Sequence, residues 1–318
     1  MILGPTSSGK TSLAVNLACQ FNGEIVSADS RQVYKGMDIG TGKDLAEYKV
    51  NIQNSKLQIP NKSKIQNPKS KIVTIPYHLI DVAMPIEEFN LAKYKLLADK
   101  AIEDILKWGK VPILVGGSGL YLQAVVDDYK LTKISQDKKL RVELESLSVE
   151  ELLSRLQLIN PKFANKINSS DQKNKRRLIR YIEIQTSEEN DIEKSKEQKY
   201  STLILGLNPE REVLKQRIHT RLIHRLEKEG LVDEVKNLHD DGVSWERLEG
   251  FGLEYKFISQ HLQGKLKYAE MVEKLNIAIV QFSKKQMTWF RRWEKQGRQI
   301  TWIKDLGEAK KIVEKFLK

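Results

Sequence analysis

The chain has 318 residues, of which 40% are hydrophobic, enough for one large globular domain with an insertion or for two domains of ordinary size. Its formal net charge of +12 indicates an anionic partner, either an extended polyanion or a membrane surface. No run of 18 apolar residues and no signal-peptide pattern occurs, which predicts a cytoplasmic protein without a membrane span. The single cysteine, Cys19, excludes an intrachain disulfide and a cysteine-based zinc site.

The segment "GPTSSGKT" fits the phosphate-loop pattern, with only "MIL" before it as a short feeding strand. In this pattern, backbone N–H groups surround phosphate oxygens, Lys10 neutralises their charge and the Thr11 hydroxyl can ligate Mg²⁺. The predicted diphosphate-binding residues are Gly4, Pro5, Thr6, Ser7, Ser8, Gly9, Lys10 and Thr11. The loop alone leaves open whether the ligand is ATP, GTP or another diphosphate ester.

A helix and a strand are predicted directly after the loop. "TSLAVNLACQF" has helical apolar spacing, which also predicts a buried Cys19 thiol, and "GEIVSADS" is typical of a short buried strand that ends in a polar turn. Asp29 is therefore predicted at the carboxyl edge of the sheet, where the ligand clefts of doubly wound folds lie. Its carboxylate can act as a general base, as an outer-shell partner of a metal or as the cap of the turn before Ser30.

The rest of the chain continues the α/β pattern. Residues 86–109 predict a long helix, and "VPILVGG" after them predicts a second strand, whereas the polar, lysine-rich residues 49–73 predict an exposed loop or irregular hairpin. "STLILGLNP" predicts a return to the first sheet, and the remainder has helical patterns to the end. We therefore predict an α/β fold with a mostly parallel sheet flanked by helices, in which residues 1–128 and 200–318 form a P-loop core with C-terminal helices and residues 129–199 form a helical insertion domain.

Two basic clusters are candidates for contact with nucleic acid. "KNKRRLIR" on the helical insertion contains Arg176, Arg177 and Arg180. The C-terminal "KKQMTWFRRWEKQGR" interleaves six lysines and arginines with aromatic residues, a mixture that suits phosphate contacts with apolar anchoring. Its tryptophans fit a helix that packs on the sheet better than they fit base-stacking platforms.

A third basic segment, "REVLKQRIHTRLIHRLEKEGL", has the spacing of an anion-binding helix. Arg217 and Arg221 are four residues apart and share one helix face, so both could reach one anion. Arg225 is assigned to an RNA contact or to solvent. The alternative for the whole segment is a solvated basic helix face.

Five segments in series make the chain similar to a known family: "GPTSSGKT", "EIVSADSRQVYKGMDIGTGK", "YHLIDV", "VPILVGGSGLYLQAVV" and "KKQMTWFRR". In this order and at these spacings they resemble the bacterial form of the tRNA dimethylallyltransferases, also called tRNA isopentenyltransferases, over nearly the whole chain. The resemblance implies that a monomer transfers a dimethylallyl group from dimethylallyl diphosphate to N6 of adenosine 37 in tRNAs that read codons beginning with U. The loop would then hold a prenyl diphosphate, and ATP binding would be incidental.

The resemblance also implies roles for individual residues. Asp29 would orient the adenine amine and take its proton, and Arg221 would contact the diphosphate, with Arg217 as a secondary candidate. Lys10, the loop amides and Mg²⁺ on Thr11 would stabilise the leaving diphosphate. The target base would leave the stack of the anticodon loop and enter a channel open at both ends. The residues predicted to contact tRNA are Asp29, Ser30, Arg31, Gln32, Ser118, Arg176, Arg177, Arg180 and Gly252.

Three other functions share part of these features. A small-molecule phosphotransferase would use the same loop with Asp29 as its base, but it has no obvious need for the basic C-terminal region. An adenylate isopentenyltransferase would use the same donor on a free nucleotide, whereas the basic surfaces and the helical insertion favour tRNA. An RNA-binding protein with a remnant loop is disfavoured because Lys10, Thr11 and Asp29 are intact.

Overall fold

The computed structural model describes residues 1–51, 72–129, 137–187 and 199–318. The chain divides into two compact units, one formed by Met1–Asp128 and Gln198–Lys318 and the other by Tyr129–Glu197. Within the described ranges, none of the helices combines the length and the apolar character needed to cross a bilayer.

The strands of the described residues all belong to the first unit. They are β1 (Ile2–Leu3), β2 (Gly23–Ala28), β3 (Lys49–Asn51), β4 (Ile72–Thr74), β5 (Tyr77–His78), β6 (Val111–Gly116), β7 (Leu205–Leu207) and β8 (Thr301–Ile303). Six of them form one sheet in the order β5-β2-β6-β1-β7-β8, and each neighbouring pair is parallel. The predicted mostly parallel sheet is confirmed.

Helices account for most of the remaining described residues. Those of the first unit are α1 (Lys10–Gln20), α2 (Leu91–Lys107) and α3 (Gly119–Val126), and those of the second are α4 (Lys138–Ser146), α5 (Val149–Ile159), α6 (Pro161–Ala164), α7 (Ser169–Gln172) and α8 (Lys175–Thr186). The first unit resumes with α9 (Arg211–Glu227), α10 (Leu231–Asp240), α11 (Trp245–Gly250), α12 (Leu253–Leu262), α13 (Tyr268–Lys295) and α14 (Leu306–Leu317).

The main sheet is buried on both faces because helices pack against each face, and successive strand residues point to opposite sides. Val26 and Leu114 belong to a core with residues of α2, α3 and α13, whereas Ile25 and Ile113 belong to a second core with α1 and α14. The apolar stripe of α1 is confirmed, and Cys19 is buried in this second core as a free thiol. The carboxyl ends of β1, β2 and β6 therefore open onto one edge of a rigid, covered sheet.

Three predictions of local structure need correction or restriction. The helix predicted from residue 86 begins only at Leu91, because the Asn90 side chain accepts a hydrogen bond from Lys93 N–H and caps the helix there. The C-terminal region is not helical throughout, since β8 pairs with β7 at the edge of the sheet. The segment predicted as a loop or hairpin has β3 and β4 as an antiparallel pair at its ends, and its residues 52–71 lie outside the described residues.

The second unit has its own small core. Apolar residues of α4, α5 and α8 pack together, among them Leu144, Leu152, Leu156, Leu178 and Ile182. A capping box formed by Ser148 and Glu151 fixes the start of α5. Helical structure is thus observed in the described part of the segment predicted as a helical insertion.

Candidate active site

The phosphate loop joins the carboxyl end of β1 to the amino end of α1. Ser7 and Gly9 have positive φ angles of 60° and 88°, which curve the backbone, and glycine adopts such angles without a steric penalty. The N–H groups of the first turn of α1 have no partner inside the helix, and the positive end of the helix dipole lies beside them. The loop is therefore suited to phosphate oxygens.

Lys10 folds back over this loop, and its Nζ donates a hydrogen bond to Pro5 O at 3.4 Å. Burial lowers the pKa of Lys10 to about 8, an effect that the nearby Asp29 carboxylate opposes and the Arg221 guanidinium reinforces. The side chain thus keeps its proton over most of the neutral range while lacking a full counter-charge. An anion placed in the loop would supply that charge.

A polar cavity extends from the loop to the carboxyl edge of the sheet, and we call it the loop cavity. Its lining comprises Thr6, Lys10, Thr11, Ser27, Asp29, Arg31, Gln32, Thr41, Gly42, Tyr48, Val115, Gly116, Arg221, Phe282 and Gln286. The structure therefore brings Asp29 and Arg221 to the same cavity as Lys10 and Thr11. This is the arrangement on which the sequence-based mechanism depends.

Asp29 stands at the end of β2, and one of its oxygens caps the turn that follows. Its Oδ1 accepts a hydrogen bond from Arg31 N–H at 2.9 Å, and within the described part of the chain the hydrogen bonds of this carboxylate involve Oδ1 alone. Ser30 N–H donates to Ser118 Oγ at 3.2 Å, which ties the turn to the segment before α3. The capping role and a chemical role are compatible, because the second oxygen of Asp29 is left for a ligand in the cavity.

Gln32 links this turn to the segment after it. Its Oε1 accepts a hydrogen bond from Ser27 Oγ at 2.9 Å, and its Nε2 donates to Gly42 O, also at 2.9 Å. Both ends of the amide are therefore engaged, and they link Ser27 at the end of β2 to the backbone at Gly42. The predicted contact of Gln32 with tRNA stays a prediction, and the structure adds this second role.

Arg31 is held by a carboxylate that the sequence did not indicate. Its Nη1 lies 2.8 Å from Glu254 Oε2, and its guanidinium lies 5.7 Å from the centre of the Phe282 ring. Burial acts to lower the pKa of Arg31, but Glu254 and Asp29 outweigh it and raise the pKa. Gly252, also predicted to contact tRNA, immediately precedes α12 and is two residues from Glu254.

Two arginines of α9 converge on Gly42 and Asp44. Arg221 Nη2 and Arg225 Nη2 both donate to the Asp44 carboxylate, the second at 3.1 Å. The assignment of Arg225 to the surface is wrong, because it is 6% exposed and occupies the buried side of the helix. Arg217 is exposed and lies outside the lining of the loop cavity. The arginine that shares the Asp44 carboxylate with Arg221 is Arg225, four residues after it, not Arg217, four residues before it.

The segment from Asp38 to Gly42 is fixed by Glu234. The Glu234 carboxylate accepts hydrogen bonds from the N–H groups of Asp38, Ile39 and Gly40 at 2.6 to 3.0 Å, and from Tyr255 Oη at 2.8 Å. These contacts order the backbone that carries Gly42 before any ligand is present.

Lys43, next to this segment, is buried and donates to Tyr34 O at 2.7 Å and to the carboxylates of Asp38 and Asp81. The Asp81 carboxylate is thus in an ion pair with a lysine. Its place at this edge is structural in the ligand-free protein.

Gln286 of α13 connects the phosphate loop to the turn after β6. Its Oε1 accepts a hydrogen bond from Thr6 N–H at 2.8 Å, and its Nε2 donates to Gly117 O at 3.0 Å. It belongs to the basic segment "KKQMTWFRR", which was predicted to meet RNA. The packing residues and the basic residues lie on different faces of this helix, since Gln286, Phe290 and Trp293 are buried while Lys284, Lys285, Arg291 and Arg292 are exposed. The contact of the basic face with RNA stays a prediction. The prediction that the tryptophans pack in the core is confirmed for Trp293.

The basic cluster of the second unit lies on α8. Arg176 is exposed, Arg177 pairs with Asp171, and Arg180 Nη1 lies 3.0 Å from Glu183 Oε2. Within the described residues of this unit, Arg177 and Arg180 are thus paired with carboxylates.

A larger cavity of about 450 Å³ lies at the opposite, amino-terminal edge of the sheet. Its lining is largely apolar and includes Met1, Val111, Leu203 and Phe316, and none of the predicted site residues takes part in it. The chemistry-bearing side chains are thus concentrated at the loop cavity.

Comparison with known proteins gives a consistent result. The family described as IPP transferase matches residues 64–293, and the family described as isopentenyl transferase matches residues 1–55. The chain is 45% identical to tRNA dimethylallyltransferase 1 of Syntrophus aciditrophicus (strain SB), over 95% of this chain and 92% of the relative. It is 46% identical to tRNA dimethylallyltransferase 2 of Citrifermentans bemidjiense, over 95% and 89%.

Solved structures show the same similarity in three dimensions. The full-length tRNA isopentenylpyrophosphate transferase from Bacillus halodurans has a TM-score of 0.64 and 34% identity, with 99% of this chain and 94% of that chain covered. A eukaryotic dimethylallyltransferase acting on tRNA has a TM-score of 0.71 and 28% identity, with 96% and 74% covered.

Proposed function

The chain belongs to the tRNA dimethylallyltransferase family, as its sequence predicts, and we propose that it transfers the dimethylallyl group of dimethylallyl diphosphate to N6 of adenosine 37 in tRNAs that read codons beginning with U. One observation supports this proposal above the others. The phosphate loop with Lys10 and the Asp29 carboxylate line one cavity, so a leaving diphosphate and an incoming amine can be held face to face.

The diphosphate end of the donor would lie in the phosphate loop. Charge accumulates on the diphosphate as the allylic C–O bond breaks, and donors that are fixed in advance stabilise this charge most in the transition state. Lys10 and Arg221 supply cationic groups, and the amides at the start of α1 supply N–H donors. Arg217 is too exposed in the ligand-free protein to share this role without a movement of its side chain.

Asp29 would act on the amine. The lone pair of adenine N6 is delocalised into the ring, so the group gains from an acceptor that orients it and takes a proton as the new C–N bond forms. Asp29 Oδ1 is occupied by the turn, and the proposal assigns the amine to the other oxygen.

The residues at the loop also fit Mg²⁺. Among the described residues no cluster of three or more His, Cys, Asp or Glu side chains could form a metal cage, but Mg²⁺ is commonly held by one or two protein oxygens together with substrate phosphates. The Thr11 hydroxyl lines the cavity together with Asp29 and would hold the ion. When bound, Mg²⁺ would neutralise charge on the departing diphosphate.

The tRNA partner is supported by the charge distribution. Basic residues are exposed on α13 and α8, where they can contact phosphates, and Ser30, Arg31, Gln32 and Ser118 lie at the turns that border Asp29. We further propose that the protein acts as a monomer in the cytoplasm, where its tRNA substrates are. The base must leave the anticodon stack to reach Asp29.

Mass analysis of nucleosides tests the proposal. The purified protein is incubated with dimethylallyl diphosphate and one of three acceptors: a tRNA that reads a U-initial codon, the same tRNA with guanosine at position 37, or AMP. We expect a dimethylallyl adenosine from the first acceptor alone. Modification of AMP would instead support an adenylate isopentenyltransferase, and consumption of ATP with a small hydroxyl substrate would support a phosphotransferase.

Two matched variants test the role of Asp29. Asp29→Asn should lower turnover by orders of magnitude while tRNA binding is retained, because only the proton acceptor is removed. Asp38→Asn makes the same chemical change at a partly exposed carboxylate that pairs with Lys43. A near-normal rate for Asp29→Asn would remove Asp29 from the mechanism.

A further inference from the structure

Asp44 is placed between the two arginines of α9 and holds both. Its two oxygens are divided between them, since Oδ2 accepts from Arg221 Nη2 and Oδ1 accepts from Arg225 Nη2. Nothing in the sequence motifs singled out Asp44, which follows the "GTGK" segment. Its carboxylate is an acceptor for the same guanidinium that a diphosphate would use.

The two arginines differ in their freedom to move. The Arg225 side chain is 7% exposed, and Glu229 Oε2 lies 3.9 Å from its Nε, so it is enclosed and has a second carboxylate nearby. The Arg221 side chain is 32% exposed and lines the loop cavity. Asp44 can therefore release Arg221 and stay anchored on Arg225.

The charges around the cavity favour the release of Arg221 from Asp44 only when another anion is present to pair with Arg221. Burial lowers the pKa of Arg221, and its neighbour Arg225 lowers it further, whereas Asp44 and Glu47 act in the opposite direction. Without Asp44, the two adjacent guanidinium groups and Lys10 would lose one of the carboxylates that compensate their charge, and Asp29, Glu47 and Glu254 would remain. Asp44 thus supplies in the ligand-free protein the negative charge that a diphosphate would otherwise bring.

We propose that Asp44 is a positioning residue that pairs with Arg221 while the loop cavity lacks diphosphate, and that it competes with diphosphate for the Arg221 guanidinium. The inference rests on the proposed function, in which the phosphate loop and Arg221 bind the donor. The competition weakens the binding of donor and of product diphosphate alike, and for the product it speeds release. Arg221 is kept beside the cavity throughout, so it does not have to be recruited from solvent.

A purely structural role for Asp44 would have the opposite signature. If the carboxylate only braced the arginines, its loss would loosen them and weaken diphosphate binding. If it competes, removing its charge while keeping its shape strengthens binding. Asparagine keeps an acceptor oxygen and tolerates the positive φ of 45° at this position, so Asp44→Asn separates the two cases.

The test is calorimetric titration of the full-length protein with inorganic diphosphate, without tRNA. We expect Asp44→Asn to bind diphosphate about tenfold more tightly than wild type, in line with the removal of one nearby like charge. Asp38→Asn, the same change at the carboxylate that pairs with Lys43, should bind as wild type does. In Arg221→Gln the effect of Asp44→Asn should vanish, because the group in competition is gone.

Product inhibition provides a second measurement. With donor and tRNA in steady state, Asp44→Asn should be inhibited by lower concentrations of diphosphate than wild type, and its KM for the donor should fall. Binding by Asp44→Asn that equals or is weaker than that of wild type overturns the inference and leaves the proposed function intact. Failure of the wild-type protein to bind diphosphate at all would instead contradict the assignment of the loop as the donor site.

Discussion

Replacement of Gly42 by alanine tests whether the approach of two arginines to the backbone matters for transfer. Gly42 has a φ of 67°, and a Cβ built there would lie 2.5 Å from Arg225 Nη2 and 2.7 Å from Arg221 Nη2. Both distances are too short for non-bonded atoms, so both guanidinium groups must leave the positions in which they contact Asp44. The substitution should therefore affect an anion-binding group without changing any charged residue.

The structure separates two contributions to the effect. The left-handed φ costs an L-residue about 1 to 2 kcal/mol of stability wherever it occurs. Displacement of Arg221 adds the loss of one donor to the leaving diphosphate, and the loss of such a donor typically lowers kcat by about 10² to 10³. Gly264 is the matched control, because its φ is 73° and a Cβ there would meet nothing within 4 Å.

The assay compares the two variants directly. Urea unfolding should show similar losses of stability for Gly42→Ala and Gly264→Ala, whereas single-turnover transfer to tRNA should be slow only in Gly42→Ala. If the transfer rates of the two variants agree within about threefold, which is under 1 kcal/mol in the barrier, the reasoning about Arg221 is refuted.

Three further predictions concern Lys10, Gln286 and the basic helix α8. Lys10 has a lowered pKa of about 8, so it loses its proton as the pH rises through that value. The protein's affinity for dimethylallyl diphosphate, measured by calorimetry, should then fall by up to about tenfold per pH unit. If Lys10→Arg shows the same fall, the pH dependence belongs to another group. Gln286→Leu should lower the free energy of unfolding by about 1 to 3 kcal/mol, because Thr6 N–H and Gly117 O lose their partner. The control is Thr288→Ala, at an exposed residue of the same helix whose hydroxyl donates to Lys284 O. Equal losses of stability in urea unfolding would contradict the role of Gln286. Arg176→Ala should reduce the slope of log K for tRNA binding against log salt concentration by about one unit in filter-binding assays, with donor affinity unchanged. An unaltered slope would exclude a phosphate contact of Arg176.

Local patterns in the sequence predicted the parts of the molecule that local physics determines. The phosphate loop, the apolar stripe of α1 and the buried strands β2 and β6 each depend on residues close together in the chain, and each was predicted correctly. The three-residue strand β8 was missed because it exists only through its pairing with β7. The start of α2 was predicted too early, although Asn90 is a recognisable cap.

The candidate site was predictable only on its loop side. Asp44, Glu254 and Gln286 act through partners far away in the sequence, and no spacing rule connects such pairs. The misassignment of Arg225 had a usable signal. Leu214, Ile218 and Leu222 are the buried stripe of α9, and Arg225 continues it at helical spacing, so its burial follows from the same pattern.

The capture of three consecutive amides by Glu234 has a consequence for selectivity. Successive backbone N–H groups that face one point attract phosphate. Without Glu234, the N–H groups from Asp38 to Gly40 could therefore bind the donor diphosphate or a phosphate of the tRNA chain. The Glu234 carboxylate already accepts hydrogen bonds from these three N–H groups in the ligand-free protein. Under the proposed function, an incoming diphosphate would therefore find open N–H donors at the phosphate loop and not at this second stretch. Since the same contacts stiffen the neighbouring wall in advance, little ordering entropy remains to be lost when the donor arrives.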